Sequence, residues 1–153
     1  MSFFTSFNKV LAALEKHKVD YILIGGYAVA LYGVPRATND IDIFVKPEEE
    51  NFAKLRKALY EVFDDEAVND IILSDKENYH VTRYGTPEGY AIDILIQLGE
   101  LYNYYNTKFH EIEIEKIKIK IADLDSLIKL KENTLRNIDK EDKEILIKKI
   151  FII

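Results

Sequence analysis

Residues 21–45 read YILIGGYAVALYGVPRATNDIDIFV. The first four are apolar and follow Asp20, so 21–24 form a buried strand that stops at Gly25-Gly26. Residues 27–32 suit a short helix, ended by Gly33 and Pro35. Ile41, Ile43 and Val45 then alternate with Asp40, Asp42 and Phe44, the period-two pattern of a second strand. Upstream, Phe4, Phe7, Leu11 and Leu14 recur at helical spacing over residues 3–18. Downstream, Pro47 and Glu48–Glu50 open a helix whose inner face is Phe52, Leu55, Leu59 and Val62. Strands are expected at 70–74, 78–84 and 90–97, with a turn over 85–89, and a hairpin at 108–114 and 117–121. Asp123 caps a helix to about Asn133, and Asp139 with Asp142 opens a last one to about Ile150. This order predicts an α+β (mixed α/β) class: a single mixed sheet with helices packed on it. One domain, 1–153, is expected, with a sheet-bearing core over 1–121 and C-terminal helices over 122–153.

The 153 residues carry a net charge of −6, and 48% are hydrophobic. That balance supports a globular core and argues against a general nucleic-acid binder held by a basic face. A local basic patch for a phosphate-bearing ligand remains compatible with it. There is no cysteine, which excludes disulfides, zinc–thiolate sites and cysteine nucleophiles. His17, His80 and His110 are far apart and not at ligand spacing, so no histidine metal site is expected. The first twenty residues do not read as a signal peptide, and no apolar run approaches the roughly eighteen residues of a membrane span. The expected location is the cytoplasm.

Three acids demand a chemical reason. Asp40 and Asp42, two apart on a strand, share a face with about 7 Å between them. Asp93 sits inside Ala91-Ile92-Asp93-Ile94-Leu95-Ile96, apolar on both faces and therefore an interior strand. A carboxylate there needs a hydrogen bond from a loop, an arginine or a cation. If all three acids converge, hard oxygen ligands in that number select Mg²⁺ or Mn²⁺. Gly25-Gly26 between strand and helix is either a tight turn or a place where backbone N–H groups meet a phosphate. It is neither a Walker loop nor a dinucleotide fingerprint, because the lysine of the one and the third glycine of the other are missing. Lys131 lies at the end of the apolar stripe Leu124, Leu127, Ile128, so it either snorkels or reaches a buried anion.

Gly25-Gly26, then Arg36-Ala37-Thr38-Asn39-Asp40-Ile41-Asp42-Ile43, then Ile92-Asp93-Ile94 resembles the nucleotidyltransferase-fold (polymerase-β-like) superfamily. It is most similar to the small bacterial and archaeal branch of abortive-infection-type toxins, minimal nucleotidyltransferases and antibiotic nucleotidyltransferases. Leu127-Ile128-x-x-Lys131 and Arg136-x-x-Asp139-x-x-Asp142 resemble the segment that closes many of these chains. The likeness spans about two-thirds of the sequence and is thin between residues 47 and 89. One departure stands out: Tyr27 follows Gly26 where many members have serine after glycine, so the hydroxyl that helps hold the phosphates is missing.

The resemblance implies transfer of a nucleoside monophosphate from an NTP to an acceptor hydroxyl, with release of pyrophosphate. Asp40, Asp42 and Asp93 would be catalytic and would ligate Mg²⁺ or Mn²⁺, with Asp93 also serving as or positioning the base. Gly25 and Gly26 would cradle the phosphates, and Lys131 and Arg36 would add positive charge. Arg36 and Thr38 either contact phosphate or order the loop before Asp40. Arg136, Asp139 and Asp142 fit a salt bridge and a helix cap better than chemistry. The acceptor is an RNA end such as that of tRNA, a protein or a small molecule. Tyr102, Tyr104 and Tyr105 either stack on a base or pack. Two other classes compete: a non-catalytic or partner-activated member of a toxin–antitoxin pair that acts as a protein-binding module, and a structural domain whose acids are solvated and bind no metal. The apolar tail Ile145–Ile153 offers a homodimer or partner surface, or docks on its own core.

Overall fold

The computed structural model describes residues 3–34, 37–73, 80–99 and 101–132. Helix α1 (Phe4–Lys16) buries Phe7, Val10, Leu11 and Leu14, the stripe set by the sequence spacing. It leads through Lys18, with φ of 57°, into strand β1 (Tyr21–Ile24), whose four side chains are all buried. Helix α2 (Gly25–Leu31) starts at the first glycine of the pair, two residues before the expected boundary. Strand β2 (Asp40–Val45) and helix α3 (Glu49–Phe63) follow. Glu49 and Glu50 lie in the first turn of α3, at the positive end of its dipole, and Asp64 closes it in the left-handed conformation. Then come β3 (Val81–Gly85), β4 (Ala91–Leu95), β5 (Gln97–Leu98), β6 (Tyr102–Asn103), β7 (Phe109–Ile114), β8 (Ile117–Ala122) and helix α4 (Leu124–Glu132).

Six strands form one mixed sheet in the order β3-β4-β2-β1-β8-β7. The β1/β2, β3/β4 and β7/β8 pairs are antiparallel, whereas β2/β4 and β1/β8 are parallel. Glu115 and Lys116 both take positive φ between β7 and β8, the two-residue hairpin geometry that matches strand twist. Asp123 accepts a 2.8 Å hydrogen bond from Ser126 N, so its capping role in α4 holds.

Two local expectations are corrected. Residues 70–74 are not a strand among the described residues: a 3₁₀ turn covers Glu66–Asp70, and the Ile71 carbonyl accepts from Arg56 Nη1 at 2.8 Å instead of from a neighbouring strand. The strand expected over 90–97 ends at Leu95; the chain then turns at Gly99, with φ of 62°, and pairs β5 with β6 in a small separate ladder. The helix expected from Asp139, the segment Arg136–Asp142 and the apolar tail lie outside the described residues, as does Arg36.

Candidate active site

Strand register brings the acids together. In the parallel β2/β4 pair Asp42 lies directly opposite Asp93, and Asp40 is opposite Ala91. On the other side of β2, Asp42 is opposite Ile24, the last residue of β1. The next residue, Gly25, therefore sits against the Asp42 carboxylate. It has φ of +75°, and a Cβ there would fall 2.0 Å from Asp42 Oδ2. The glycine is required by the close approach of a side chain and by its backbone conformation, both of which exclude larger residues.

Asp42 is deeply set, and its carboxyl is pushed up to about 7. Burial is the main cause, followed by the hydrogen bond and like charge of Asp93 and the charge of Asp40; Lys131 pulls the other way. The hydrogen bond between Asp42 and Asp93 thus favours the protonated form of Asp42. Lys131, from α4, is itself buried and lines the same cavity as Asp42 and Asp93. That cavity has a volume of about 240 Å³; Gly25 forms one wall, and Leu127 and Leu130 of α4 close another.

A residue that the sequence reading left unassigned completes the arrangement. Arg83 on edge strand β3 is in register with Asp93. Its Nε reaches Asp93 Oδ1 at 3.1 Å and its Nη2 reaches Asp40 Oδ1 at 2.8 Å. Asp93 therefore takes the arginine alternative open to an acid in an apolar strand. The available signal was a guanidinium in His80-Val81-Thr82-Arg83-Tyr84, a strand otherwise short of charge. Only its pairing with β4 gives that arginine a partner. Asp40, Arg83, Asp93 and Asp42 run as a chain of polar contacts, and among the described residues no three His, Cys, Asp or Glu side chains are grouped as a metal site.

The other expected residues have definite places. Thr38 donates its hydroxyl to the Asp40 carbonyl at 3.1 Å and accepts from Asp40 N at 3.4 Å, so it clasps the entry to β2. Gly26 is buried at the start of α2. Tyr27, the departure from glycine–serine, is buried, donates to Asn8 and packs on Phe4 and Phe7. Burial pushes its hydroxyl up to about 12, so it acts as a core anchor. Tyr104 and Tyr105 meet edge to face; Tyr105 is 65% exposed, while Tyr102 and Tyr104 pack partly on the core.

The mixed sheet, the strand–glycine–helix junction beside Asp42 and the opposed acids of β2 and β4 define a nucleotidyltransferase-fold protein. Residues 9–145 match the family described as "Nucleotidyl transferase AbiEii toxin, Type IV TA system", and the chain belongs to that family. That membership supports nucleotidyl transfer as the general class of activity. Among solved structures, an antigenic nucleotidyltransferase-like protein from Paracoccidioides brasiliensis aligns with TM-score 0.60 and 17% identity, over 94% of this chain and 74% of that one. The lincosamide antibiotic adenylyltransferase LnuA aligns with TM-score 0.50 and 20% identity, over 87% and 89% of the two chains. The antibiotic-resistance factor ANT(2'')-Ia aligns with TM-score 0.53 and 15% identity, over 98% and 86%. At these identities the likeness shows a shared fold. Comparison with curated proteins gave no match. Among the described residues no helix is long and apolar enough to cross a membrane.

Proposed function

We propose that this chain is a divalent-metal-dependent nucleotidyltransferase that moves a nucleoside monophosphate from an NTP to an acceptor hydroxyl and releases pyrophosphate. The observation that carries the reading is the opposition of Asp42 and Asp93 beside a cavity walled by Gly25 and Lys131. The donor set fits Mg²⁺ or Mn²⁺: it consists of hard carboxylate oxygens, and beside the burial that mainly pushes Asp42 upward, the like charges of Asp93 and Asp40 are what a cation would relieve. Asp42 and Asp93 would hold the ion, with Asp40 joining once free of Arg83. The bound ion would supply Lewis-acid neutralisation of the triphosphate.

The chain's own groups supply the rest. Lys131 opposes phosphate charge from inside the cavity. Asp93 accepts the proton of the acceptor hydroxyl as the new oxygen–phosphorus bond forms at the α-phosphate and the bond to pyrophosphate breaks. Gly25 and Gly26 offer backbone N–H groups to the phosphates, and Thr38 keeps Asp40 in register. An RNA end, a protein or a small molecule are the acceptor classes to be compared, and a cytoplasmic setting would supply the NTP. LnuA is described as an adenylyltransferase of lincosamide antibiotics, which supports including small molecules.

The test is thermal stability with each of the four NTPs, with and without Mg²⁺, for the native chain and Asp42→Asn. A metal-dependent rise with one NTP, absent in the variant, supports the reading and names the donor. Label from an α-labelled NTP should then pass to an acceptor with native protein and not with Asp93→Asn. No rise with any NTP favours the second reading, a toxin–antitoxin module that acts with a cognate partner, which the family description supports.

A further inference from the structure

Arg83 is the cation the acids already have. Its fork spans two strands and holds Asp93 by Nε and Asp40 by Nη2. Two acids proposed to serve a divalent ion are thus joined through a guanidinium. The backbone that carries Arg83 is fixed: Tyr84 is buried and donates to Asp65 Oδ2 at 2.7 Å, and Thr86 N donates to the Tyr90 carbonyl at 2.8 Å. The side chain of Arg83 is not confined in the same way, being 59% exposed on an edge strand. The guanidinium end of both ion pairs is therefore solvent-screened, with the Asp40 carboxylate 36% and the Asp93 carboxylate 19% exposed. A side-chain rotation suffices to release the acids while the strand stays in place.

We infer that Arg83 is an intramolecular competitor for the divalent ion: it occupies Asp40 and Asp93 in the metal-free protein and is displaced when the ion binds. The inference rests on the metal-dependent reading above. Its consequence is opposite to that of an arginine that merely organises the site. A competitor lowers metal affinity, because each ion bound requires two ion pairs to break. An organiser raises it, because its loss lets the carboxylates splay. The fork also matters separately from the charge. Lysine at position 83 keeps the charge but not the rigid planar fork, and it holds its own water more strongly.

The test is Mn²⁺ binding to the full-length chain, read from the electron paramagnetic resonance of free Mn²⁺ and repeated as competition with Mg²⁺. The forms compared are native, Arg83→Gln, Arg83→Lys and Asp42→Asn. Arg83→Gln is expected to bind roughly two- to thirtyfold more tightly, the range given by losing two ion pairs of an exposed guanidinium. Arg83→Lys is expected to lie nearer to Arg83→Gln than to the native chain. The side-chain Nε–H resonance of Arg83 should shift in the native protein as Mg²⁺ is added. Unchanged or weaker binding in Arg83→Gln, with native binding intact and lost in Asp42→Asn, overturns the competitor role and leaves the metal reading standing. Tighter binding in Arg83→Gln with native affinity in Arg83→Lys assigns the effect to net charge and also overturns it. If no form binds Mn²⁺, the metal reading falls and this inference falls with it.

Discussion

At the scale of single residues, Gly25 and Asp42 are one feature. Alanine at position 25 would take an unfavourable positive φ, at a cost of about 1–2 kcal/mol. Its Cβ would also overlap Asp42 Oδ2, adding about 1–3 kcal/mol of overpacking. Gly25→Ala is expected to lower stability by roughly 2–5 kcal/mol in urea denaturation, and Gly25→Ala/Asp42→Gly should recover the overlap part but not the φ part. A double variant no more stable than Gly25→Ala would mean that the overlap is absorbed elsewhere. Asp42 also sets a pH dependence. Its native-state carboxyl is raised from 3.8 to about 7, so between those values the folded chain holds a proton that the unfolded chain releases. Stability from this group is fully present below the unfolded value and is lost as pH rises through the folded one. Metal-free protein should therefore lose thermal stability from pH 5 to 8, and Asp42→Asn should flatten that slope. A native curve that rises over this interval would contradict a protonated Asp42. The glycine–acid pairing was legible as two motifs in order. The contact between them was not, because only the β1/β2 register puts Ile24 opposite Asp42.

At the scale of elements, short-range pattern succeeded where one face decides the structure. Alternation marked β2, β7 and β8, and helical spacing marked α1, α3 and α4. It failed at 70–74 because Ile71 is apolar for a different reason. Ile71 and Val68 are buried beneath the 3₁₀ turn, and the Ile71 carbonyl is taken by Arg56. Periodicity cannot separate a short buried turn from a short buried strand. Nor does the sequence advertise Asn51, a polar residue on the inner side of α3. Its amide donates to the carbonyls of Asp20 at 2.9 Å and Lys46 at 3.0 Å, and its Oδ1 accepts from Asp20 N at 2.8 Å. One side chain thus ties α3 to the chain entering β1 and the chain leaving β2. Asn51→Ala leaves Asp20 N without its acceptor, while the Asp20 and Lys46 carbonyls keep the N–H groups of Lys46 and Glu48, so a loss of about 1–3 kcal/mol is expected from chemical denaturation. A loss below about 0.5 kcal/mol would show that water replaces the amide at little cost.

At the scale of the whole molecule, the sheet order explains why distant segments make one site. Residues 25, 42 and 93 meet because β4 inserts beside β2 in parallel while β1 lies on its other side. Helix α4 then adds Lys131 from the far end of the described chain. The order of the motifs announced this assembly through a family resemblance, and the family match over 9–145 supports it. Arg83 escaped because an edge strand carries no motif of its own. The completed site sets three carboxylates against Arg83 and Lys131, in a chain of net charge −6. Arg83 is exposed and exchangeable, so Lys131 is the buried counter-charge that stays with Asp42. Lys131→Met keeps most of the side-chain volume and removes that charge. Without it, the Asp42 carboxyl should rise further, and the pH at which metal-free stability falls should move upward in the variant's thermal profile. The same change removes a positive group from the wall of the cavity, so the NTP-dependent gain in melting temperature should shrink while fold and cooperativity persist. An unmoved pH profile with a normal NTP response would place the Lys131 ammonium outside the field of Asp42 and return it to the snorkelling alternative.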